Sequence, residues 1–327
     1  MLSTAPFRDD LVDAPHGTQA FWVRADDGVR LRLGLFPAPT NSPETTPKPR
    51  QAQPQGTVLL FPGRTEYIEK YTHIAAQLGQ AGFTTLAIDW RGQGLADRLL
   101  PDPMPGHVGQ FADYQRDVAA MLEAARTLDL PQPYYLIAHS MGGAIGLRAL
   151  TDGLPVRAVA FTGPMWGIAL PLPVRAFAYG VGHAMTALGI QTTPAPGTKR
   201  ASYVQINPFT DNTLTTDPEM YAQMCAQIDN EPGFALGGPT MQWLLGALYE
   251  CRALAALPSP DVPCITYLGT QERIVDTHAI HDRMARWPKG DLTLITGAEH
   301  EILLERPDTR ARVCAEVSAL FTHAGAR

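Results

Sequence analysis

The fold is decided by a short stretch in the middle of the chain, which reads AHSMGG at residues 138–143. It ends the apolar run YYLIA (134–138) and precedes a segment, from about 141 to 152, that is typical of a helix. This is a nucleophile-elbow pattern with Ala138 in place of the first glycine. Small residues are needed because the strand turns sharply into the helix. We therefore predict Ser140 as a nucleophile, against the alternative of a serine that only caps the helix.

Strand-like and helix-like segments alternate on both sides of this motif. Short apolar runs predict buried strands at 57–61, 83–89, 156–161, 264–268 and 291–296, and an earlier hairpin is predicted over 19–36. Apolar residues at helical spacing predict helices at 113–128, 278–287 and 307–322. This alternation predicts the α/β class, with a mostly parallel central sheet flanked by helices. The elbow motif within it predicts specifically an α/β-hydrolase fold.

The alternation stops after the strand at 156–161 and resumes at 264–268. Residues 163–257 are rich in Pro, Trp, Met and Leu and mostly helical in character, which predicts a helical cap or lid inserted into the sheet domain. The predicted core is then residues 1–162 together with 258–327. Within the core, residues 37–56 form a predicted proline-rich surface loop.

Composition narrows the classes of function. The 327 residues carry 26 Lys and Arg against 32 Asp and Glu, a net charge of −6, without a basic run, so the charge argues against nucleic acid as a partner. The four cysteines are far apart in sequence, which favours free thiols in a reducing compartment. No secretory signal pattern is evident and the uncharged stretch 176–198 is too interrupted to span a bilayer, so we expect a cytoplasmic protein. Peripheral contact with the inner face of the membrane, through the cap, stays open.

A nucleophilic serine needs a base and an acid that orients it, and in this fold the chain order is serine, acid, histidine. His300 follows the last predicted strand and is the predicted base. Two acids follow the strand at 264–268: Glu272 and, four residues later, Asp276. We prefer Glu272, and keep Asp276 as the alternative acid or as the cap of the next helix.

The oxyanion formed during acyl transfer needs two backbone donors. The N–H of Met141, directly after the nucleophile, is one candidate. The N–H of Arg64, in the loop after the first core strand, is the other. The sequence lacks a phosphate-binding loop, a dinucleotide fingerprint and an HExxH motif, so neither a metal nor an organic cofactor is implied.

A longer series of motifs carries a family resemblance. In order, these are PGRTEYIEKY (62–71), DWRGQG (89–94), GHVGQFADY (106–114), AHSMGG (138–143), GGPTMQW (237–243), ERIVD (272–276) and HEILLE (300–305). Together they resemble the bacterial lysophospholipases of the α/β-hydrolase superfamily, relatives of the monoacylglycerol lipases. The resemblance implies a triad at Ser140, Glu272 and His300 and oxyanion donors at Arg64 and Met141. The acid of this family is more often Asp than Glu.

The resemblance also implies a function and a substrate pocket. The expected reaction is hydrolysis of a carboxylic ester, a lysophospholipid or a monoacylglycerol, through an acyl-enzyme on Ser140. An acyl pocket under the cap is expected to involve side chains that otherwise only pack the cap: Trp166, Phe177, Trp243 and Leu244. One alternative is an aminopeptidase-type hydrolase, with Asp229 and Glu231 holding the free amine of a peptide. Another is a ligand-binding protein without catalysis.

Overall fold

A computed structural model describes residues 2–39 and 54–326. Most of the predicted proline-rich loop at 37–56, namely residues 40–53, lies outside the described residues. Over the described ranges the chain forms a nine-stranded sheet with the order β1-β2-β3-β5-β4-β6-β7-β8-β9. The strands are β1 Ser3–Thr4, β2 Gln19–Arg24, β3 Arg30–Phe36, β4 Gly56–Phe61, β5 Phe83–Asp89, β6 Tyr134–His139, β7 Val156–Thr162, β8 Cys264–Gly269 and β9 Gly290–Ile295.

The sheet has an antiparallel end and a parallel body. β1, β2 and β3 form an antiparallel meander, and β3 also pairs antiparallel with β5. From β5 through β4, β6, β7 and β8 to β9, neighbouring strands are parallel. The carboxyl ends of these parallel strands therefore meet at one edge, which is where open α/β sheets bind ligands. The predicted α/β-hydrolase architecture is confirmed.

Helices cover both faces of the sheet. They are α1 Thr72–Gln80, α2 Tyr114–Thr127, α3 Met141–Thr151, α4 Leu172–Ala187, α5 Tyr203–Ile206, α6 Pro218–Asn230, α7 Met241–Ala256, α8 Thr277–Met284 and α9 Pro307–Gly325. Successive side chains of a strand point to opposite faces, so β4 contributes to two cores. Leu59 packs in the cluster that contains Val118 of α2, while Leu60 packs in the cluster that contains Val313 of α9.

Four of these helices, α4 to α7, lie between β7 and β8. They bury small apolar clusters of their own, one of which joins Ala178 of α4 to Leu245 and Leu248 of α7. Over the described residues, none of the helices is both long enough and apolar enough to cross a membrane. All four cysteines are described and are unpaired thiols, as the sequence predicted.

A buried arginine joins the antiparallel meander to the parallel body. Arg32 of β3 is inaccessible to solvent and forms ion pairs of 2.7 Å with Glu69 and with Asp89 of β5. Asp89 also accepts hydrogen bonds from the backbone N–H groups of Ile68 and Leu95. The loop after β4 and the start of the loop after β5 are therefore held by one buried ionic cluster.

Replacing this arginine by Arg32→Met is expected to destabilise the protein by about 3–5 kcal/mol, because two carboxylates would remain buried without their cation. The matched control is Arg116→Met, whose ion pair with Asp26 is exposed and is expected to contribute only about 0–1 kcal/mol. Urea unfolding of both variants measures the difference. Equal losses in the two variants would contradict this interpretation of Arg32.

Candidate active site

The serine of the AHSMGG motif sits at the turn between β6 and α3. Ser140 has φ 50° and ψ −117°, a backbone conformation that non-glycine residues rarely adopt. Over the described chain, its side chain makes no hydrogen bond that caps α3. The strained turn instead directs the Oγ atom into a cavity at the carboxyl edge of the sheet. The interpretation of Ser140 as a helix cap is therefore not supported.

Small residues around the serine allow neighbouring backbone to approach. A Cβ atom on Gly142 would collide with the backbone carbonyls of Phe61 and Pro62. Ala138, the residue that departs from the usual motif, is fully buried in β6. A Cβ atom on Gly146 would lie only 3.3 Å from the Ala138 methyl. The glycine one turn into α3 therefore leaves room for the methyl group that the motif normally lacks.

Three side chains from three strand ends form a chain of hydrogen bonds. The Oγ of Ser140 lies 2.8 Å from Nε2 of His300. Nδ1 of the same imidazole lies 2.6 Å from Oε2 of Glu272. The other carboxylate oxygen of Glu272 accepts hydrogen bonds from the backbone N–H groups of Ile274, at 2.6 Å, and Val275, at 3.1 Å. Because those donors fix the carboxylate, they also fix the tautomer and orientation of the imidazole.

The pKa values of His300 and Glu272 are both shifted by their contact. Burial disfavours a charged imidazole, but the hydrogen bond and negative charge of Glu272 outweigh burial and raise the pKa of His300. Burial also opposes the charge on Glu272, yet His300 and the two backbone donors hold the pKa of that carboxyl below its ordinary value. The carboxylate therefore stays ionised and stabilises the imidazolium that forms when His300 accepts a proton.

Asp276 lies at a different place and has other partners. Its carboxylate accepts hydrogen bonds from the backbone N–H groups of His278, at 3.1 Å, and Ala279, at 3.4 Å, so it caps α8. It also pairs with Arg175 at 3.2 Å. Of the two acids that the sequence offered, Glu272 is the one in contact with His300.

Two backbone N–H groups adjoin the nucleophile. Met141 N–H is at the N-terminus of α3, directly after Ser140. Arg64 follows Gly63, where an added Cβ atom would lie 3.0 Å from the Ser140 Cβ atom, so the two loops are in contact. Within the described residues, neither the Arg64 nor the Met141 N–H has an intramolecular acceptor. Both donors are free to bind a developing oxyanion.

A buried charge cluster that was not predicted from the sequence joins the loop after β4, here called the oxyanion loop because it carries Arg64, to the His300 loop. Lys70 Nζ lies 2.5 Å from Glu66 and 2.7 Å from Glu301, the residue after His300. Glu66 in turn accepts the backbone N–H of Gly63. Glu66 and Lys70 stand at i,i+4 in the sequence, a signal for a local pair, but the contact with Glu301 depends on the fold.

The same cluster contains His139, next to the nucleophile. Burial lowers the pKa of His139 to about 4, so its ring is neutral near pH 7, and its Nδ1 lies 2.9 Å from the carbonyl oxygen of Thr162. Burial and the charge of Glu66 raise the pKa of Glu301 to about 7. Glu66, His139 and Glu301 are donor types that bind metals, but here the ammonium group of Lys70 lies between the two carboxylates.

Ser140 and His300 open into a cavity of about 480 Å³ between the sheet edge and helices α5, α6 and α7. Trp243 and Leu244, two of the four predicted pocket residues, line it. The expectation was wrong for the other two, which are absent from the lining formed by the described residues. Trp166 packs in the core, with its ring 5.0 Å from that of Phe161 and stacked on Trp287. Phe177 is 63% exposed on α4.

A parallel sheet with a serine at a strand-to-helix turn, hydrogen-bonded to a histidine and an acid at later strand ends, defines the serine hydrolases of the α/β-hydrolase fold. Residues 52–307 match the family described as Serine aminopeptidase, S33, and the chain belongs to that family.

Individual relatives agree with the resemblance seen in the sequence, which is thereby confirmed. Lysophospholipase L2 of Escherichia coli (strain K12) is 33% identical over 264 residues, covering 78% of this chain and 76% of the relative. Monoglyceride lipase of Rattus norvegicus is 24% identical over 288 residues, covering 84% and 86%. A soluble variant of the Saccharomyces cerevisiae monoglyceride lipase, solved with a substrate analogue, superposes with a TM-score of 0.69 at 17% identity and covers 92% of this chain and 94% of that one.

The acid that contacts His300 can be tested by Glu272→Gln. A neutral amide donates to Nδ1 and favours the wrong tautomer, so kcat is expected to fall by roughly 10³–10⁴-fold. Because Glu272 raises the pKa of His300, its loss lowers that pKa. The acid limb of the kcat/KM–pH profile should therefore move to lower pH in the variant.

The matched control is Asp276→Asn, since asparagine caps a helix about as well as aspartate. Its kcat is expected to stay close to that of the unmodified protein. If Asp276→Asn abolished hydrolysis of a chromogenic ester while Glu272→Gln retained it, the assignment of the acid would be reversed.

Proposed function

We propose that this protein hydrolyses carboxylic esters of acyl lipids, lysophospholipids or monoacylglycerols, through an acyl-enzyme on Ser140. The observation that carries the proposal is the hydrogen-bonded series Ser140, His300 and Glu272 at the floor of a largely apolar cavity. A buried serine already 2.8 Å from a base that an acid orients is arranged for nucleophilic attack. The names of the relatives support an ester of a lipid as the substrate.

In the proposed reaction each of the three side chains has its own role. His300 Nε2 takes the proton of the Ser140 hydroxyl as Oγ attacks the acyl carbonyl carbon. Glu272 stabilises the resulting imidazolium without accepting its proton. His300 then protonates the leaving alkoxide, which releases the glycerol-containing alcohol and leaves the acyl group on Ser140. A water molecule that His300 deprotonates next attacks the acyl carbonyl. The fatty acid is released, and His300 returns the proton to the Ser140 hydroxyl.

The tetrahedral intermediates of both steps carry a negative oxygen. The backbone N–H groups of Arg64 and Met141 are the donors that we assign to it. Removal of one such donor in other hydrolases costs about 10²–10³ in kcat, which indicates how much the pair contributes. Lys70 supports one donor indirectly, because it holds Glu66 and Glu66 accepts the N–H of Gly63 in the same loop.

The cavity favours an acyl chain as the ligand. Both the strand-end loops and the cap helices supply apolar side chains to its lining, among them Ile168, Val204, Met224, Leu236, Leu244 and Ile274. We propose that residues 163–257 act as a cap that shields these surfaces and the acyl-enzyme from bulk water. Such a cavity removes a long apolar chain from water, which is a favourable contribution to binding.

An aminopeptidase activity, which the family description names, requires a free carboxylate for the amine of the peptide. Glu231, one of the two acids considered for that role, pairs instead with Arg8 at 2.6 Å and accepts the N–H of Gly233. Among the described residues, neither Asp229 nor Glu231 lines the cavity. The two acids that do line it, Glu66 and Glu301, are both paired with Lys70. These contacts favour an ester over a peptide.

We further propose that the cap contacts a lipid surface through α4. Large apolar side chains are exposed along α4 and just beyond its end: Leu172 77%, Val174 47%, Phe177 63%, Leu188 72% and Ile190 45%. A group of exposed apolar side chains on one helix and the turn after it is typical of a helix that lies in a membrane interface. α4 packs against α7, whose Trp243 and Leu244 line the cavity, so this exposed surface belongs to the same proposed cap.

The nucleophile assignment predicts that Ser140→Ala lowers kcat by roughly 10⁴–10⁶-fold. The measurement is hydrolysis of lysophospholipids, monoacylglycerols and p-nitrophenyl esters, with an amino-acyl p-nitroanilide as the peptide-type substrate. The control is Ser318→Ala, in α9 and outside the cavity lining. Cleavage of the anilide in preference to the esters, or a Ser140→Ala variant with near-normal ester turnover, would overturn the proposal.

The contact with lipid surfaces predicts that Phe177→Asp, which places a charge on the exposed face of α4, reduces binding to phospholipid vesicles in a sedimentation assay. Hydrolysis of a short, water-soluble ester should change little, because Phe177 does not line the cavity among the described residues. The matched control is Leu294→Asp, an exposed apolar residue of β9. If both variants bound vesicles as the unmodified protein does, α4 would not be the contact surface.

A further inference from the structure

A positive charge at the cavity lacks a carboxylate partner. Arg64 lines the cavity, and over the described residues no acid forms an ion pair with its guanidinium group. One terminal nitrogen donates to the carbonyl oxygen of Gly237, and Nε is buried without an acceptor. The guanidinium carbon lies 5.3 Å from the centre of the Trp243 ring. The group is therefore fixed in position but incompletely hydrogen-bonded.

Among the described residues, none of the other charged side chains in the cavity lining neutralises the Arg64 guanidinium group. Glu66 and Glu301, the two carboxylates in the lining, are held by Lys70. Lys199 also lines the cavity, is exposed, and forms no ion pair within the described chain. Arg64 and Lys199 are thus two cations without acids in a cavity whose acids are already paired. The excess charge available to a ligand is positive.

Withdrawal of a guanidinium group from water without an anion is unfavourable, and burial lowers the pKa of Arg64 to about 10. Within the described residues, the two carboxylates of the lining, Glu66 and Glu301, pair with Lys70 and form no ion pair with Arg64. Arg64 as a whole is partly accessible and lines the cavity, so we expect a ligand inside to contact its side chain. An anionic group on a ligand would supply the missing partner.

We propose that the side chain of Arg64 is an anion subsite for the phosphate of the ester substrate, so that the enzyme prefers lysophospholipids to neutral monoacylglycerols. This inference rests on the proposed lipid esterase function and adds the class of head group. A guanidinium group presents several N–H donors in a fixed plane that matches phosphate oxygens. Lys199, at the exposed part of the lining, adds a second positive charge for the same anion.

The connectivity of enzyme and substrate fits this assignment. The backbone N–H of Arg64 is the donor assigned to the acyl oxyanion, and its guanidinium group lies one side-chain length away. In a lysophospholipid, the phosphate is one glycerol length from the ester carbonyl. A single residue can therefore contact the reacting end of the substrate through its backbone and the head group through its side chain.

The first experiment compares two esters with the same acyl chain, octanoyl lysophosphatidylglycerol and monooctanoylglycerol, at concentrations where neither forms micelles. Arg64→Gln is expected to lower kcat/KM for the phosphate ester about 10- to 100-fold more than for the neutral ester, because it removes hydrogen bonds between two charged groups. The difference should appear mainly in KM. Arg64→Lys, which retains the charge but not the planar fork, should give an intermediate ratio.

The ratio separates a head-group role from a structural one. If Arg64→Gln only disturbed the oxyanion loop, both esters would lose activity equally and the ratio would stay constant, which would overturn the inference. The control variant is Arg312→Gln, a 56% exposed arginine side chain of α9 whose loss should leave the ratio unchanged. Thermal melting of each variant checks that the fold is retained.

The second experiment measures binding without turnover, in Ser140→Ala and in Ser140→Ala with Arg64→Gln. Calorimetry should give a Kd for octanoyl lysophosphatidylglycerol about 10-fold or more weaker in the double variant, with little change for monooctanoylglycerol. Inorganic phosphate at the same concentration should not displace the lipid; displacement would indicate a site for free phosphate and overturn the substrate assignment. Absence of hydrolysis by the unmodified protein would refute the proposed function, whereas this binding result would still decide the role of Arg64.

Discussion

The backbone turn at Ser140 is the constraint on which the site depends. A positive φ at a non-glycine residue persists only where the surrounding structure holds it, and here β6, α3 and the loop after β4 do so through close contacts at Gly142. The same contacts bring the oxyanion loop beside the nucleophile. Since β8 and β9 run parallel to β6, the loops that carry Glu272 and His300 emerge at the same edge. One strained residue and one strand direction therefore determine where the reacting groups meet.

Charge is arranged around this turn in three separate groups. Glu272 pairs with His300, and Lys70 joins Glu66 to Glu301. Arg64 and Lys199 have no acidic partner among the described residues. Because Glu272 is paired with His300, and both Glu66 and Glu301 with Lys70, the apolar lining and the cations of Arg64 and Lys199 remain available to a ligand. This division agrees with the proposed substrate, an acyl lipid with an anionic head group, better than with a peptide that carries a free amine.

Sequence patterns were sufficient for most of the fold because buried parallel strands and amphipathic helices have local signals. The strand predicted at 156–161 is observed as Val156–Thr162, and the helix predicted at 278–287 as Thr277–Met284. Chain order and strand ends likewise led to Glu272 and His300. The pocket was harder to predict because α4 is apolar around most of its circumference, so spacing could not say that Phe177 faces solvent. Trp166 packs on Trp287, more than a hundred residues away, and Lys70 meets Glu301 only in the folded chain.

The close approach of Ala138 and Gly146 limits which residues can stand at these two positions. A methyl group at position 146 would lie 3.3 Å from the Ala138 methyl and 3.1 Å from a Cδ atom of Leu136, so these two strand residues limit the size of the helix residue. Glycine in place of Ala138 would remove one of these two contacts, whereas alanine at both 138 and 146 would force the strand or the helix to shift by a few tenths of an ångström. The two positions are thus expected to co-vary, and a departure from the elbow motif is best judged by its partner in the helix.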